Sequence, residues 1–491
     1  MWAVLIFYPG LTLASIGALC YDSLQREGYI MLKKLFGDRA FLKKVLLFAI
    51  PIIVQNSITT FVSLLDNIMV GQVGTVQMSG VSVANQLIMV FNLCVFGATS
   101  GAGIFTAQFH GSGDTKSVQY TIRYKLYICL ALVLAVIGIF IPFGKDLIEL
   151  YLQGEGDPEA ARLTLSYGYD YLKVMLIGFI PFALSNLYAS SLRETGESIV
   201  PMYSGIAAVA VNLIFNYILI FGHFGAPAMG VVGAAVATVL SRYVELLILV
   251  IWTHTHTGKC TFAKGLFRSL YLPFSLAKRI FIKGMPLLAN EFLWSSGMAF
   301  LSQCYSTCGL DVVPAINISE TINNLASVFA IAIATTVGIL MGQMMGANLP
   351  KEQIKADNAK LLNLAIVFGV LFGLLLALIA PVFPLLYNTT DTVRTLATQL
   401  IFILAIMKPW MAYLMCVYYS MRSGGKTITT FLYDAGIMWT CSIPLAFCLS
   451  RFTDLPIIPL FLICQSLDIA KAILGFFIIR RGNWIQNLSR K

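Results

Sequence analysis

Charge is what this sequence has least of. Asp, Glu, Lys and Arg make up 11% of its 491 residues and apolar residues 58%, whereas an ordinary soluble domain is about one-quarter charged. No water-exposed surface can be built from so little charge. Cysteine offers little more: the ten cysteines include no CxxC pair, and Cys304 and Cys308, four apart on one predicted helix, are badly placed for a disulfide. Of the four histidines, His254 and His256 lie together in the basic stretch THTHTGKC, too few donors for a metal centre. No span carries HExxH, GxSxG or paired aspartates, so nothing points to an enzyme or a cofactor. Residues 1–20 are apolar yet lack the basic start and cleavage site of a secretory signal.

What is present is hydrophobic length. Residues 126–144, 198–241, 292–310, 321–350 and 361–390 contain no charged side chain, and runs above about 18 such residues read as membrane helices. The longest hold parts of two spans, because Gly-rich breaks such as GHFGAPAMG (222–230) supply turns. The fold class is therefore an all-α polytopic membrane protein. Counting from Phe41 gives twelve spans. Lys and Arg gather in alternate loops, among them 33–44, 116–125, 259–283, 351–360 and 480–491, while the opposite loops hold only Lys145, Arg162, Arg394 and Arg451. The positive-inside rule then places both ends in the cytoplasm. The net charge of +10 thus reports topology and a lipid bilayer, with no nucleic-acid partner. Residues 1–30 stand outside the count, as an extra helix or as sequence ahead of a true start at Met31.

The chain also repeats itself. FLKKVLLFAIPIIVQN (41–56) overlays LAKRIFIKGMPLLANE (276–291) at an offset of 235, with Pro51 on Pro286, and the same offset sets TAQFHG (106–111) on MGQMMG (341–346). SLRETGES (191–198) overlays SMRSGGKT (420–427) at an offset of 229, matching Arg193 to Arg422. Two six-helix lobes, 31–252 and 279–482, follow, joined by a cytoplasmic linker (253–278) and closed by a tail (483–491). An even number of spans per lobe relates them by an axis along the membrane normal, an arrangement suited to a carrier whose halves rock about a central site. Pro51 and Pro286 break the hydrogen-bond ladders of helices 1 and 7, as bending points or static kinks.

With AIPIIVQN and LLDNIMVGQVG in helix 1, Gln108 and Gly111 after helix 2, NLIFNYILIFG (212–222), GVVGAAVAT (230–238), MPLLANEF (285–292) and the LRETG/MRSGG pair, the sequence resembles the multidrug and toxic compound extrusion (MATE) family over roughly residues 31–482. The resemblance implies a V-shaped pair of six-helix bundles that exports organic cations in exchange for Na⁺ or H⁺, with no further cofactor. It also implies a likeness in roles. Asp66 matches the helix 1 carboxylate that carries the coupling cation, Asn212 and Asn216 the helix 5 polar pair, and Glu291 the helix 7 glutamate of the second lobe. The helix 10 carboxylate of many sodium-coupled relatives falls on Met411 here, a departure that removes an acid.

An acid in a membrane helix costs about 2.5–3.5 kcal/mol to insert, so it normally faces the protein interior and performs a task. Asp66, about 33 Å beyond Lys44 by helical rise, is a cation-coupling site with Asn212 and Asn216 as oxygen donors, or else merely interfacial. The only metal this provides for is Na⁺ at Asp66. Glu291 is expected to bind substrate or ion, with Trp410 and Met411, alongside Trp294, Met407 and Met415, offering an adaptable cavity wall. Glu320 and Asp434 are weaker candidates of the same kind. Arg242 with Glu245, and Asp468 with Lys471, each three apart on a helix, read as tethers. Function is then a secondary antiporter for organic cations, monomeric, in a bacterial inner membrane. The alternative, a flippase for lipid-linked precursors, needs a strongly basic cavity that sparse intramembrane Lys and Arg do not suggest.

Overall fold

A computed structural model describes residues 33–152 and 157–490; the apolar extension over 1–30 lies outside them. Twelve long helices follow in order: α1 Arg39–Gly71, α2 Thr75–Gly111, α3 Thr115–Leu152, α4 Pro158–Glu194, α5 Ile199–Phe221, α6 Gly230–Thr255, α7 Phe274–Ser306, α8 Val312–Gly346, α9 Lys351–Ile379, α10 Asp391–Ser423, α11 Thr427–Phe452 and α12 Ile457–Arg481. Helix is what apolar chain must form where no water can satisfy backbone groups. Among the described residues, eleven helices are long and apolar enough to cross a membrane. The remaining one, α7, has the length at 33 residues, but Asn290, Glu291, Ser295 and Ser296 dilute it. Pro51 and Pro286 both sit inside unbroken helix. Within α11, Leu432–Gly436 and Met438–Ser442 widen into π turns, a local defect that frees backbone groups and often accompanies a site.

The GHFGAPAMG break is a tight turn. Gly222 takes φ 76° at the end of α5, and the Met229 amide returns to the Leu219 carbonyl at 2.8 Å. By contrast, the linker between the lobes is not free chain. Phe262, Ala263 and Leu266 are buried in the first lobe's core, Gln119 donates to the carbonyls of Phe262 and Lys264, and Arg123 to those of Leu266 and Tyr271. Arg123, one of the basic residues of 116–125, is buried under the linker it holds.

Helices α1–α6 and α7–α12 form the two lobes. The contacts that join them lie in the half of the bundle that carries the basic loops, the apex of a V. Val45 and Phe48 of α1 pack against α8, while Gly101 and Gly97 of α2 meet Gly284 and Leu288 of α7. At the apex the repeated motifs find each other. Gly111 lies against the Gln343 carbonyl and Gly346 against that of Gln108, each so close that a Cβ would overlap the opposing oxygen. Gln108 then donates to the Ser423 carbonyl at 2.9 Å, and Gln343 to that of Glu194, also at 2.9 Å. Ser423 and Glu194 are themselves equivalent at the 229 offset. Two sequence repeats that looked independent are thus the donor and acceptor sides of one twofold-related clasp.

The tail reinforces this clasp from below. Trp484 is buried, Gln486 gives its carbonyl to Gln108 at 3.0 Å, and the Leu488 carbonyl accepts from Arg279 at 2.9 Å. Because the crossing has no room for a side chain, Gly346→Val is expected to destabilise the closed apex by about 1–3 kcal/mol, the usual cost of overpacking. Thermal unfolding in detergent checks this: a melting temperature equal to that of the wild type would show the crossing to be loose.

Candidate functional site

Three polar centres lie inside this frame. The first is in the far half of the first lobe, where α1, α2, α4, α5 and α6 converge. Asn212 and Asn216, one turn apart on α5, are both buried, and Asn216 Nδ2 donates to Asp66 Oδ1 at 2.6 Å. Orienting the Asn212 amide by its hydrogen bonds turns its nitrogen to the same carboxylate, at 2.9 and 3.2 Å from the two oxygens, and its oxygen to the Thr238 hydroxyl at 3.3 Å. Tyr171 of α4 links Asn85 and Thr238 behind them. Asp66 is the focus of a five-helix network. Asn216 Oδ1 is buried beside it with no hydrogen-bond partner among the described residues. A carboxylate next to an unused amide oxygen is a donor set that fits a hard monovalent cation.

The second centre belongs to the other lobe. Asn290 of α7 donates to Asp434 at 3.1 Å and to the Tyr418 hydroxyl at 3.3 Å, and its oxygen accepts from the Ala435 amide at 3.2 Å. That amide is one of the groups freed by the π turn in α11. Lys471 of α12 reaches Asp434 at 2.7 Å. The expected pairing of Lys471 with Asp468 is therefore replaced: the lysine spans two helices rather than one face, where it both neutralises a membrane acid and ties α11 to α12. Arg242 and Glu245 do pair, at 3.1 Å. Glu291 adjoins Asn290 and interacts with Tyr418, Arg422 and Asp434.

Deeper in the second lobe, Lys408 of α10 is almost completely buried and its ammonium is satisfied by the carbonyl and side-chain oxygen of Asn323 and by Ser327, at 3.1, 2.6 and 2.9 Å. Glu320 bonds Asn323 at 3.1 Å and so completes the chain from acid to base.

The third centre is a cavity of about 110 Å³ between the lobes, directly above the apex clasp. Its walls come from α2, α4, α8 and α10, and they obey the repeat: Ser100 faces the role of Thr335, Gly103 of Gly338, Ile104 of Ile339, and Arg193 of Arg422. Glu194 also lines it, with its carboxylate held by the fully buried Lys125 at 2.6 Å.

The comparisons with known proteins decide the family. The MatE profile matches residues 51–218 and 286–448, both lobes and well over half the chain. The chain belongs to the MatE family. A probable multidrug resistance protein NorM from Thermotoga maritima is 23% identical to it over 442 residues, covering 90% of this chain and 93% of that one, and a like-named protein from Bacillus cereus is 24% identical over 421 residues, covering 84% and 89%. A solved outward-facing multidrug resistance MATE transporter superposes with a TM-score of 0.80 at 20% identity, covering 92% of this chain and 98% of that one. The expected two-lobed transporter fold stands, and the protein is not an enzyme.

The structure brings Asp66, Asn212 and Asn216 together, though with the amide nitrogens and not the expected oxygens on the carboxylate and only the Asn216 oxygen left unpaired, and sets Glu291 in a separate network of the other lobe. Trp410 and Met411 lie on α10 outside the lining of the axial cavity, Trp410 being exposed. Sequence reasoning missed the buried cations. Lys125 follows Lys116 and Arg123 and so reads as one more loop charge, and Lys408 has no acid three or four residues away to mark it. The only available signal for Lys408 was its isolation in an apolar run. Removing one member of a desolvated ion pair is costlier than removing both. Lys471→Met is thus expected to lower stability by about 3 kcal/mol, with Asp434→Asn in the same chain recovering most of the loss; thermal unfolding of single and double variants measures it, and equal destabilisation by both would contradict the pairing.

Proposed function

We propose that this protein is a secondary antiporter that exports organic cations and other drug-like amphipaths across a bacterial inner membrane in exchange for Na⁺ or H⁺, acting as a monomer. The observation that carries the reading is the Asp66 network. A carboxylate inside a membrane lobe, bonded to two amides and adjoining an orphaned amide oxygen, is a place where a small cation enters and leaves. The names of the relatives from Thermotoga maritima and Bacillus cereus, both multidrug resistance proteins, support the substrate class. The basic apex supports a cytoplasmic placement of both described ends.

Alternating access then takes a definite form. In the closed-apex arrangement the Gln108 and Gln343 clasp seals the cytoplasmic side, and the cation reaches Asp66 from outside. Occupancy changes the hydrogen bonds that α5 makes to α1, and α1 carries Pro51 two turns above its basic start; α7 carries Pro286 in the equivalent place. Exchange requires that ion and drug favour different states, since a ligand equal in both shifts nothing. A second reading, a flippase for lipid-linked precursors, draws on Arg193 and Arg422 in the axial cavity, which suit phosphate.

The experiment is efflux of a fluorescent organic cation from liposomes under an imposed pH gradient and, separately, a Na⁺ gradient. Wild-type protein is expected to respond to one of the two. Asp66→Asn is expected to insert normally and lose at least tenfold of the driven rate, and Asn216→Ala to be impaired less. Normal driven export by Asp66→Asn would refute the assignment, and transbilayer movement of a labelled anionic lipid without either gradient would favour the flippase.

A further inference from the structure

The floor of the axial cavity is cationic, and this is not what a site for cations alone requires. Arg422 is 92% buried, being 8% exposed, and its Nη1 has no hydrogen-bond partner among the described residues. Its guanidinium lies 5.1 Å from the Tyr419 ring centre and 5.8 Å from that of Phe96, and it bonds the Tyr418 hydroxyl, so these aromatic residues fix its plane in the cavity wall. Arg193, the repeat-equivalent group of the other lobe, lines the same space and is held by one long contact, 3.3 Å from Nη1 to Gln55 Oε1. The one carboxylate in the lining, Glu194, is already engaged by Lys125 at 2.6 Å. Glu291 interacts with Arg422 and Glu245 with Arg193 without lining the cavity.

Two arginines thus line the cavity, and the one carboxylate in its lining is already paired with a lysine behind the wall. A buried guanidinium edge without an acceptor is costly, and a guanidinium fork has the geometry to take two oxygens at once. We infer that the axial cavity is a binding site for an anionic group, a carboxylate or phosphate carried by an amphipathic zwitterion, held between Arg193 of one lobe and Arg422 of the other. The volume of about 110 Å³ has room for such a group together with water. Thr99, Ser100, Asn186 and Thr335 on the same walls supply neutral donors around it. Only the identity of the carrier molecule rests on the exporter reading above. Because the arginines come from opposite lobes, the anion bridges the apex and favours its closed state.

The test needs no gradient. Purified protein in neutral detergent at fixed ionic strength is titrated with a rhodamine free acid and with the methyl ester of the same dye, followed by fluorescence polarisation. The free acid is expected to bind about tenfold more tightly, equivalent to about 1.4 kcal/mol, and to be displaced from the wild type by benzoate and by inorganic phosphate. Arg422→Gln and Arg193→Gln are expected to bring the acid-to-ester preference close to unity, and Arg422→Lys to leave it intermediate, because the charge remains and the fork is lost. Displacement in the wild type keeps the test decisive even where a variant does not fold. Equal binding of acid and ester, or no displacement by either anion, overturns the inference. Displacement by short-chain phosphatidic acid far below the phosphate concentration needed supports the site and assigns the group to a lipid. Loss of driven efflux in liposomes leaves this result standing, and failed displacement leaves the antiport reading standing.

Discussion

The apex clasp depends on two residues having no side chain. Gly111 and Gly346 let the ends of α2 and α8 touch backbone to backbone, and only at that separation can Gln108 and Gln343 reach carbonyls of the opposite lobe. Those carbonyls belong to the last turns of α4 and α10, which carry Arg193 and Arg422. One close approach therefore positions the glutamines, the arginines and the cavity between them. A membrane protein gains little from packing apolar side chains together when lipid is equally apolar, so close backbone approach and interhelical hydrogen bonds carry the association. Glycine at these two positions is that principle applied across a twofold axis.

The duplication is kept where closure is made and abandoned where charge is handled. Pro51 and Pro286, the glutamines, the glycines and the arginines all occur in both lobes. The acids do not. At the 235 offset Asp66 corresponds to Leu301 and Glu291 to Asn56. In the first lobe the carboxylate sits in the far half, among amides; in the second, Asp434 is neutralised by Lys471 and the ammonium of Lys408 is ringed by neutral oxygens. Asp434 is thus tied up by a lysine of its own lobe, whereas Asp66 meets only amides. Asymmetric chemistry on a symmetric frame gives the two halves different responses to one ion.

Much of this was legible in the sequence because membranes simplify the code. Twelve apolar segments, their turns, and the lobes followed from hydropathy and the repeat, and the exception, α7, falls short for the same residues, Asn290 and Glu291, that give it a polar network. Asp66 with Asn212 and Asn216 was readable through the family resemblance and the one-turn spacing on α5. What could not be read was the partner of a long flexible cation. Lys471 has an acid three residues back on its own helix, yet it reaches Asp434 on another; Lys125 looks like a loop charge, yet its ammonium ends 2.6 Å from Glu194 with no exposure at all. Local spacing fixes which face a side chain leaves from. It does not fix which neighbouring helix arrives there.

Energetics sets what such a machine can do. The two glutamine bonds are worth about 1 kcal/mol each in net terms, and the overlap-free glycine contact adds packing without a large barrier. A closed apex held by bonds of this size and by apolar packing is opened only by a ligand whose affinities for the two states differ by more than their sum. The same closure that the glutamines favour brings Arg193 and Arg422 into the wall of one cavity. On the inference of an anion site, an anion between the arginines draws the two lobes together, whereas water only screens their charge. On that inference closure of the apex depends on what occupies the cavity, which is the property a carrier needs if its empty and loaded forms are to move differently.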